Sequence, residues 1–150
     1  MTIRWHCIPF DSFPPLILYD VLRLRSAVFV VEQACIYQDI DRQDVNALHL
    51  LGYNEAGELL AYARLFDAGK CYPEASIGRV VVSPDYRRYG LGKLLMQQAI
   101  AHTYSLFGQQ PILIGAQQYL DKFYSELGFS VVGEPYVEDG IPHQYMRREG

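Results

Sequence analysis

The stretch Val80-Val81-Val82-Ser83-Pro84-Asp85-Tyr86-Arg87-Arg88-Tyr89-Gly90-Leu91-Gly92 decides how this chain folds. Three consecutive β-branched residues read as a buried strand, and Ser83-Pro84-Asp85 stops it. From Leu91 onward apolar residues recur at helical spacing, with Leu91, Leu95, Ala99, His102 and Leu106 on one stripe. A basic, glycine-bearing turn that joins a strand to a helix is an anion cradle. Glycine lets a ligand approach the backbone, the first helical N–H groups have no partner inside the helix, and the helix dipole adds partial positive charge. A phosphate or pyrophosphate is the expected ligand.

Composition narrows what carries that phosphate. The 150 residues are half hydrophobic and one-fifth charged, as expected of one globular domain spanning 1–150. A net charge of −4 argues against nucleic acid as a partner. Arg87, Arg88 and Lys93 form a focused basic patch suited to a small polyanion. Cys7, Cys35 and Cys71 lie far apart with no metal or redox spacing, which points to reduced thiols and a cytoplasmic setting. No apolar run approaches the roughly 20 residues a bilayer requires, so no membrane association is expected. Asp39, Asp41 and Asp44 lack the central glycine and terminal glutamate of a calcium loop, and no metal is expected. A dinucleotide fingerprint fails because Gly92 is followed by Lys93-Leu94-Leu95, and no Gly-Lys-Ser/Thr follows for a nucleotide P-loop.

Outward from the cradle, strands are expected over 3–8, 47–53, 58–66, 75–82, 111–115, 129–136 and 143–147. Pro14-Pro15 opens a helical segment over 16–33, with Leu18, Val21, Leu22, Arg25 and Phe29 at helical spacing. Residues 34–46 are acidic and irregular. Helices are expected from about Gly90 to Phe107 and from Gln117 to Leu127, the latter stopped by Gly128. The result is an α/β (α+β) domain, a mixed and mostly antiparallel sheet flanked by helices in the order β-α-α-β-β-β-α-β-α-β-β.

That order, with two motifs, resembles the GCN5-related N-acetyltransferases (GNAT). Val80-Val81-Val82-x-Pro84-x-Tyr86-Arg87-x-x-Gly90-x-Gly92 is similar to the turn that holds the pyrophosphate of acetyl-coenzyme A, and Phe123-Tyr124-x-x-x-Gly128-Phe129 to the family's second motif. The segment from Leu24-Arg25 through Val28-Phe29-Val30-Val31-Glu32-Gln33 to Asp41, and the terminal Glu138-Asp139-Gly140-Ile141-Pro142-His143, resemble the ElaA branch. The resemblance implies acetyl-CoA as co-substrate and an amine acceptor. It places the pantetheine arm along Val80, Val81 and Val82, the pyrophosphate on Arg87, Arg88, Tyr89, Gly90, Leu91, Gly92 and Lys93, and a pantetheine contact at Gln117. Backbone pairing of that arm with 80–82 would be β-augmentation by a cofactor.

The resemblance also implies Tyr124 as the acid that protonates the departing thiolate. The base is less defined, because many relatives carry a glutamate near Gly78 and Arg79. Glu32, Asp41, His49, Glu138 and His143 are candidates, with Glu138 and His143 preferred. His143 offers an imidazole after a constrained Gly140-Ile141-Pro142 turn. Water-mediated deprotonation is the alternative. Arg25, Glu32, Asp41 and Arg79 are candidate acceptor-binding residues. An arginine on an apolar helical stripe equally fits a bracing ion pair with a loop acid. Two other functions stay open: a non-catalytic acyl-CoA-binding sensor, and an acyl-homoserine-lactone synthase-like acyltransferase, which also carries an Arg-x-x-x-Phe helix followed by acids. Oligomeric state is open, a homodimer included.

Overall fold

The computed structural model describes residues 1–150. Strand β1 (Arg4–Pro9) leads into helix α1 (Pro15–Arg25), which continues without a break as a π-helical stretch over Ser26–Glu32. The 34–46 loop closes with a short 3-10 turn, Gln43–Asn46, before the antiparallel strands β2 (Leu48–Tyr53), β3 (Leu59–Phe66) and β4 (Ala75–Val82). A 3-10 turn (Pro84–Tyr89) feeds α2 (Leu91–Phe107). Then come β5 (Ile112–Gln117), α3 (Asp121–Ser125), β6 (Ser130–Glu138) and β7 (Ile141–Arg148). The strands form one seven-stranded sheet in the order β1-β2-β3-β4-β5-β7-β6. Only β4 and β5 run parallel, so the sheet is mixed and mostly antiparallel, as read from the sequence.

The alternation of strand side chains puts a core on each face. Leu50, Ala61, Ala63 and Leu65 point to one side and pack with Leu95, Met96, Ala99 and Ile100 of α2. Leu51, Tyr62 and Val81 point to the other side and pack with Val21 and Val28 of the first helical segment. The buried face of α2 is centred on Leu95, Met96, Ala99, Ile100 and Thr103. It therefore sits rotated from the expected stripe, leaving His102 half-buried and Leu106 exposed. The expected second helix before β2 is the π-helical continuation of α1, where N–H groups of Gln33 and Cys35 reach back five residues to Val28 and Val30. The last helix is shorter than expected because Ala116 and Gln117 extend β5.

Two irregularities make the site. Across the β3/β4 pair, Tyr62 faces Val81 and Arg64 faces Gly78, so Ala63 alone opposes both Arg79 and Val80. This is a β-bulge, and Arg79 within it has φ 50°, a left-handed value for a residue with a Cβ. The second is the β4/β5 pair, which joins only at Ala75–Ile112 and Ser76–Leu113. Beyond those two positions the strands part and leave the rest of β4 with a free edge.

Candidate active site

The parting of β4 and β5 opens a cleft of ≈ 610 Å³ through the sheet. On one side it is lined by Val80, Val81, Val82 and Arg87, with Gln117 and Tyr124 across from them. At the other end stand Tyr37, Gly115, Glu138, Asp139, Ile141 and His143. Arg79 and Glu32 also reach the cleft.

At the mouth nearest α2, Gly90 has φ 69°, a conformation that costs a Cβ-bearing residue energy, and it forms the N-terminal boundary of the helix. No side chain caps α2, and its first turn holds no acidic residue, so its leading N–H groups stay open to a ligand. A Cβ on Gly92 would meet only the Phe123 ring at 3.8 Å, so the protein itself does not demand glycine there. Close approach by a ligand would. Arg87, at the start of this turn, is bound to Glu32, Nη1 lying 2.7 Å from Oε2.

Tyr124 is 8% exposed, packs edge-on against Phe123 and Phe129, and lines the cleft. Burial pushes its pKa up to about 12, with Tyr119 adding to the rise, which keeps the phenol protonated at neutral pH. His143 is buried at the far end. Its Nδ1 lies 2.7 Å from the Ile141 carbonyl oxygen. A carbonyl only accepts, so Nδ1 carries a proton and Nε2 is the nitrogen turned toward the cleft residues. That Nε2 faces the Glu138 carboxylate at 3.7 Å.

Three of the candidate residues are placed outside the cleft. Arg25, 1% exposed, donates from Nε to Asp39 and from Nη1 to Asp44 at 3.0 and 2.8 Å. Asp41 binds Arg64 through both oxygens at 2.9 and 2.8 Å and meets Arg79 at 3.3 Å. Neither residue lines the cleft, and the expectation that they contact acceptor is corrected accordingly: they brace the loop. His49 is removed as a base for the same kind of reason, being 1% exposed with its ring nitrogens against Tyr62 Oη and the Asp44 carbonyl. Burial drives its pKa down despite the nearby Asp44.

The bracing cluster is larger than the sequence suggested. Arg25, Arg64 and Arg79 interlock with Asp39, Asp41 and Asp44, three charges of each sign. Asp39 alone joins Arg25 to Arg79, at 3.0 and 2.7 Å, and so ties α1 to the bulge of β4. Burial opposes ionisation of Asp41, but hydrogen bonds and charge from Arg64, with Arg79 behind, overcome it and hold the pKa near 2. Arg64 went unnoticed in the sequence, although a lone arginine in the apolar run Leu59–Phe66 signals a buried partner. Gly115, Tyr72, Tyr136 and Tyr145 also went unnoticed. The one local hint was that His143 and Tyr145 lie two apart on a strand and must share a face.

A model of the GNAT acetyltransferase domain matches residues 21–149. The chain belongs to the GNAT acetyltransferase family. It is 41% identical to protein ElaA of Escherichia coli over 98% of this chain and 97% of that one. The crystal structure of E. coli ElaA superposes with a TM-score of 0.90 at 40% identity, covering 99% of this chain and all (100%) of that one. An acyl-CoA N-acyltransferase from Pseudomonas aeruginosa superposes with a TM-score of 0.91 at 40% identity, covering 98% and 99%. The AHL synthase LasI shares the fold, with a TM-score of 0.78, but at 16% identity the likeness is one of architecture alone. Family membership supports acyl-CoA acyltransferase activity for this chain, within the ElaA-like branch. No helix is long and apolar enough to cross a membrane.

Proposed function

We propose that this GNAT protein is an acetyl-CoA-dependent N-acetyltransferase that acetylates an amine by direct attack through a tetrahedral intermediate. The observation that carries the reading is that one cleft is lined by both the Tyr124 phenol and the His143 imidazole, the latter oriented by the Ile141 carbonyl. Tyr124 is the acid and His143 the base, and they lie on separate elements of the same cleft lining.

The residues act as follows. The free edge of β4 at Val80, Val81 and Val82 receives the pantetheine arm of acetyl-CoA, and Gln117 contacts the arm from β5. Backbone groups from Arg87 to Lys93, with the N-terminus of α2, hold the pyrophosphate. His143 Nε2 takes a proton from the acceptor ammonium, and Glu138 steadies the resulting imidazolium. The amine lone pair then forms a C–N bond at the thioester carbon, and the carbonyl electrons move to oxygen. A backbone N–H of the 80–82 stretch donates to that oxyanion. The attacking nitrogen, now positively charged, gives up its second proton to solvent; collapse re-forms the C=O bond and breaks C–S, and the Tyr124 hydroxyl protonates the leaving thiolate before regaining its proton from solvent. Arg79, held by Asp39 and Asp41, takes no chemical part.

Acetyl-CoA offered with a panel of primary amines should release free CoA at a rate that depends on the amine. If the protein binds acetyl-CoA and no amine in the panel releases CoA, the chain is an acyl-CoA-binding sensor instead.

A further inference from the structure

We propose that the margin of the cleft at Gly115, where the phenol oxygens of Tyr72 and Tyr136 converge behind the lining with Glu138 near them, carries an ammonium subsite. It receives the second, non-reacting charge of a diamine-type acceptor. The acceptor role rests on the acetyltransferase reading above, whereas the subsite itself rests on the following geometry.

Gly115 lines the cleft from β5. A Cβ there would stand 2.8 Å from the Tyr136 hydroxyl oxygen and 3.6 Å from that of Tyr72, so two phenol oxygens converge on one glycine. They arrive from opposite directions. Tyr136 starts on β6 and lies across β7, stacked on His143 (5.6 Å between ring centres) and on Tyr145 (4.7 Å). Tyr72 comes from the loop before β4 and meets Tyr145 edge-on at 5.8 Å. The rings buttress one another, which fixes where their oxygens sit. Burial, reinforced by neighbouring tyrosines and Glu138, raises both phenol pKa values, Tyr72 to about 12, so both remain neutral hydroxyls. Oxygen lone pairs and a carboxylate together suit an alkylammonium.

The charges around the cleft point the same way. Arg87 is matched by Glu32, and Arg79 by Asp39 and Asp41. Arg147, farther along β7 on the face of Tyr145, is occupied by Glu74 and Glu149, and Arg64 by Asp41 and Asp44. Glu138 and Asp139 both line the cleft, Glu138 with 62% of its side chain exposed and a 3.7 Å contact to His143 Nε2. A carboxylate on the acceptor would be repelled there. A site that stabilises ammonium also opposes its deprotonation, so it fits the nitrogen that does not react.

Three probes of one length separate the possibilities: 1,4-diaminobutane, pentylamine and 4-aminobutanoate. In CoA-release assays the diamine should exceed pentylamine in kcat/KM about tenfold, and 4-aminobutanoate by more, as expected for charge-assisted hydrogen bonds to the phenols with a carboxylate near them. The double variant Tyr72→Phe/Tyr136→Phe should bring diamine and pentylamine within about threefold while changing pentylamine little. A preference for pentylamine or 4-aminobutanoate, or an undiminished diamine preference in the variant, overturns the subsite. Calorimetric binding of 1,4-diaminobutane to the CoA-loaded protein tests it without turnover. Binding lost in the double variant and in Gly115→Ala supports the subsite; absent binding, or binding equal in all three proteins, overturns it. If no amine releases CoA, the acetyltransferase reading fails, and calorimetry alone decides the subsite.

Discussion

Two charged walls, one behind β4 and the other lining the cleft, treat charge in opposite ways. Behind β4, three arginines and three aspartates cancel one another in a buried lattice. Across from it, Glu138 and Asp139 face the cleft beside Tyr136 and His143, and Glu138 has only a 3.7 Å contact with Nε2 of that histidine. The first wall spends its charges on holding the bulge of β4 in shape. The second leaves its charges free to meet a ligand. A polar cluster seen only in sequence, such as Asp39, Asp41 and Asp44, does not reveal which of these it does; the number of partners each group finds does.

The sharpest way to break that contrast is to remove one member from each wall. Asp44 accepts from both Arg25 and Arg64, and Asp44→Ala leaves two buried guanidinium groups short of a partner. It should lower unfolding free energy by about 3–5 kcal/mol in denaturant titration. Tyr136→Phe on the open wall should change stability by less than about 1 kcal/mol. Equal losses would mean that both walls are structural. The lattice also predicts an acid limb. Asp41 has a folded pKa near 2, below its unfolded value, so its contribution is complete above about pH 4 and disappears as pH falls toward 2. The lowered pKa of Asp44, where Arg25 and Arg64 outweigh burial, adds to the same limb. Thermal unfolding followed between pH 6 and pH 2 should show a midpoint that holds to about pH 4 and then drops.

The next effects concern chemistry at the donor side. Tyr124→Phe removes only the hydroxyl from a side chain whose ring is packed by Phe123 and Phe129. It should cut kcat about 100-fold with cofactor binding unchanged, the size expected of a lost general acid. Turnover as fast as wild type would sink the acid role. Gly90→Glu combines a strained left-handed position with a negative charge at the helix N-terminus. Affinity for CoA should fall by about tenfold or more. Unchanged affinity by calorimetry would remove the cradle from the donor side.

These donor features were readable in the sequence because backbone geometry sets them. A run of β-branched residues makes β4, and glycine at 90 marks a φ that other residues resist. Local rules reach that far. The acceptor wall depends on register, in which Gly115 pairs with Tyr145 and Tyr136 with His143 across three strands. No local pattern prints that alignment, and among twelve tyrosines the three that matter do not stand out. The bulge at Arg79 was hidden for a related reason. Ala75 to Val82 reads as an ordinary strand, and the extra residue appears only once β3 is paired against it. Arg25 was legible as an ion-pair partner because a charge on an apolar stripe demands one, although which acids answered it depended on the path of the 34–46 loop.

The smallest effect tests a contact that mixes the two behaviours. Glu32, at the end of the π-helical stretch, binds Arg87 of the cradle, and both side chains are about two-fifths exposed, at 41% and 43%. The hydrogen bond from Arg87 holds the Glu32 carboxyl below its ordinary range, so the pair persists at neutral pH. A pyrophosphate arriving at the cradle competes with Glu32 for the same guanidinium. Glu32→Gln keeps the shape and removes the competing charge, and CoA should bind about two- to fivefold more tightly at low salt, in line with the small worth of an exposed pair. The gain should shrink as ionic strength rises, because screening acts on exposed charges first. Weaker binding in Glu32→Gln would mean that Glu32 positions Arg87 for the phosphate. The pair would then belong with the lattice behind β4, as charge used to hold shape.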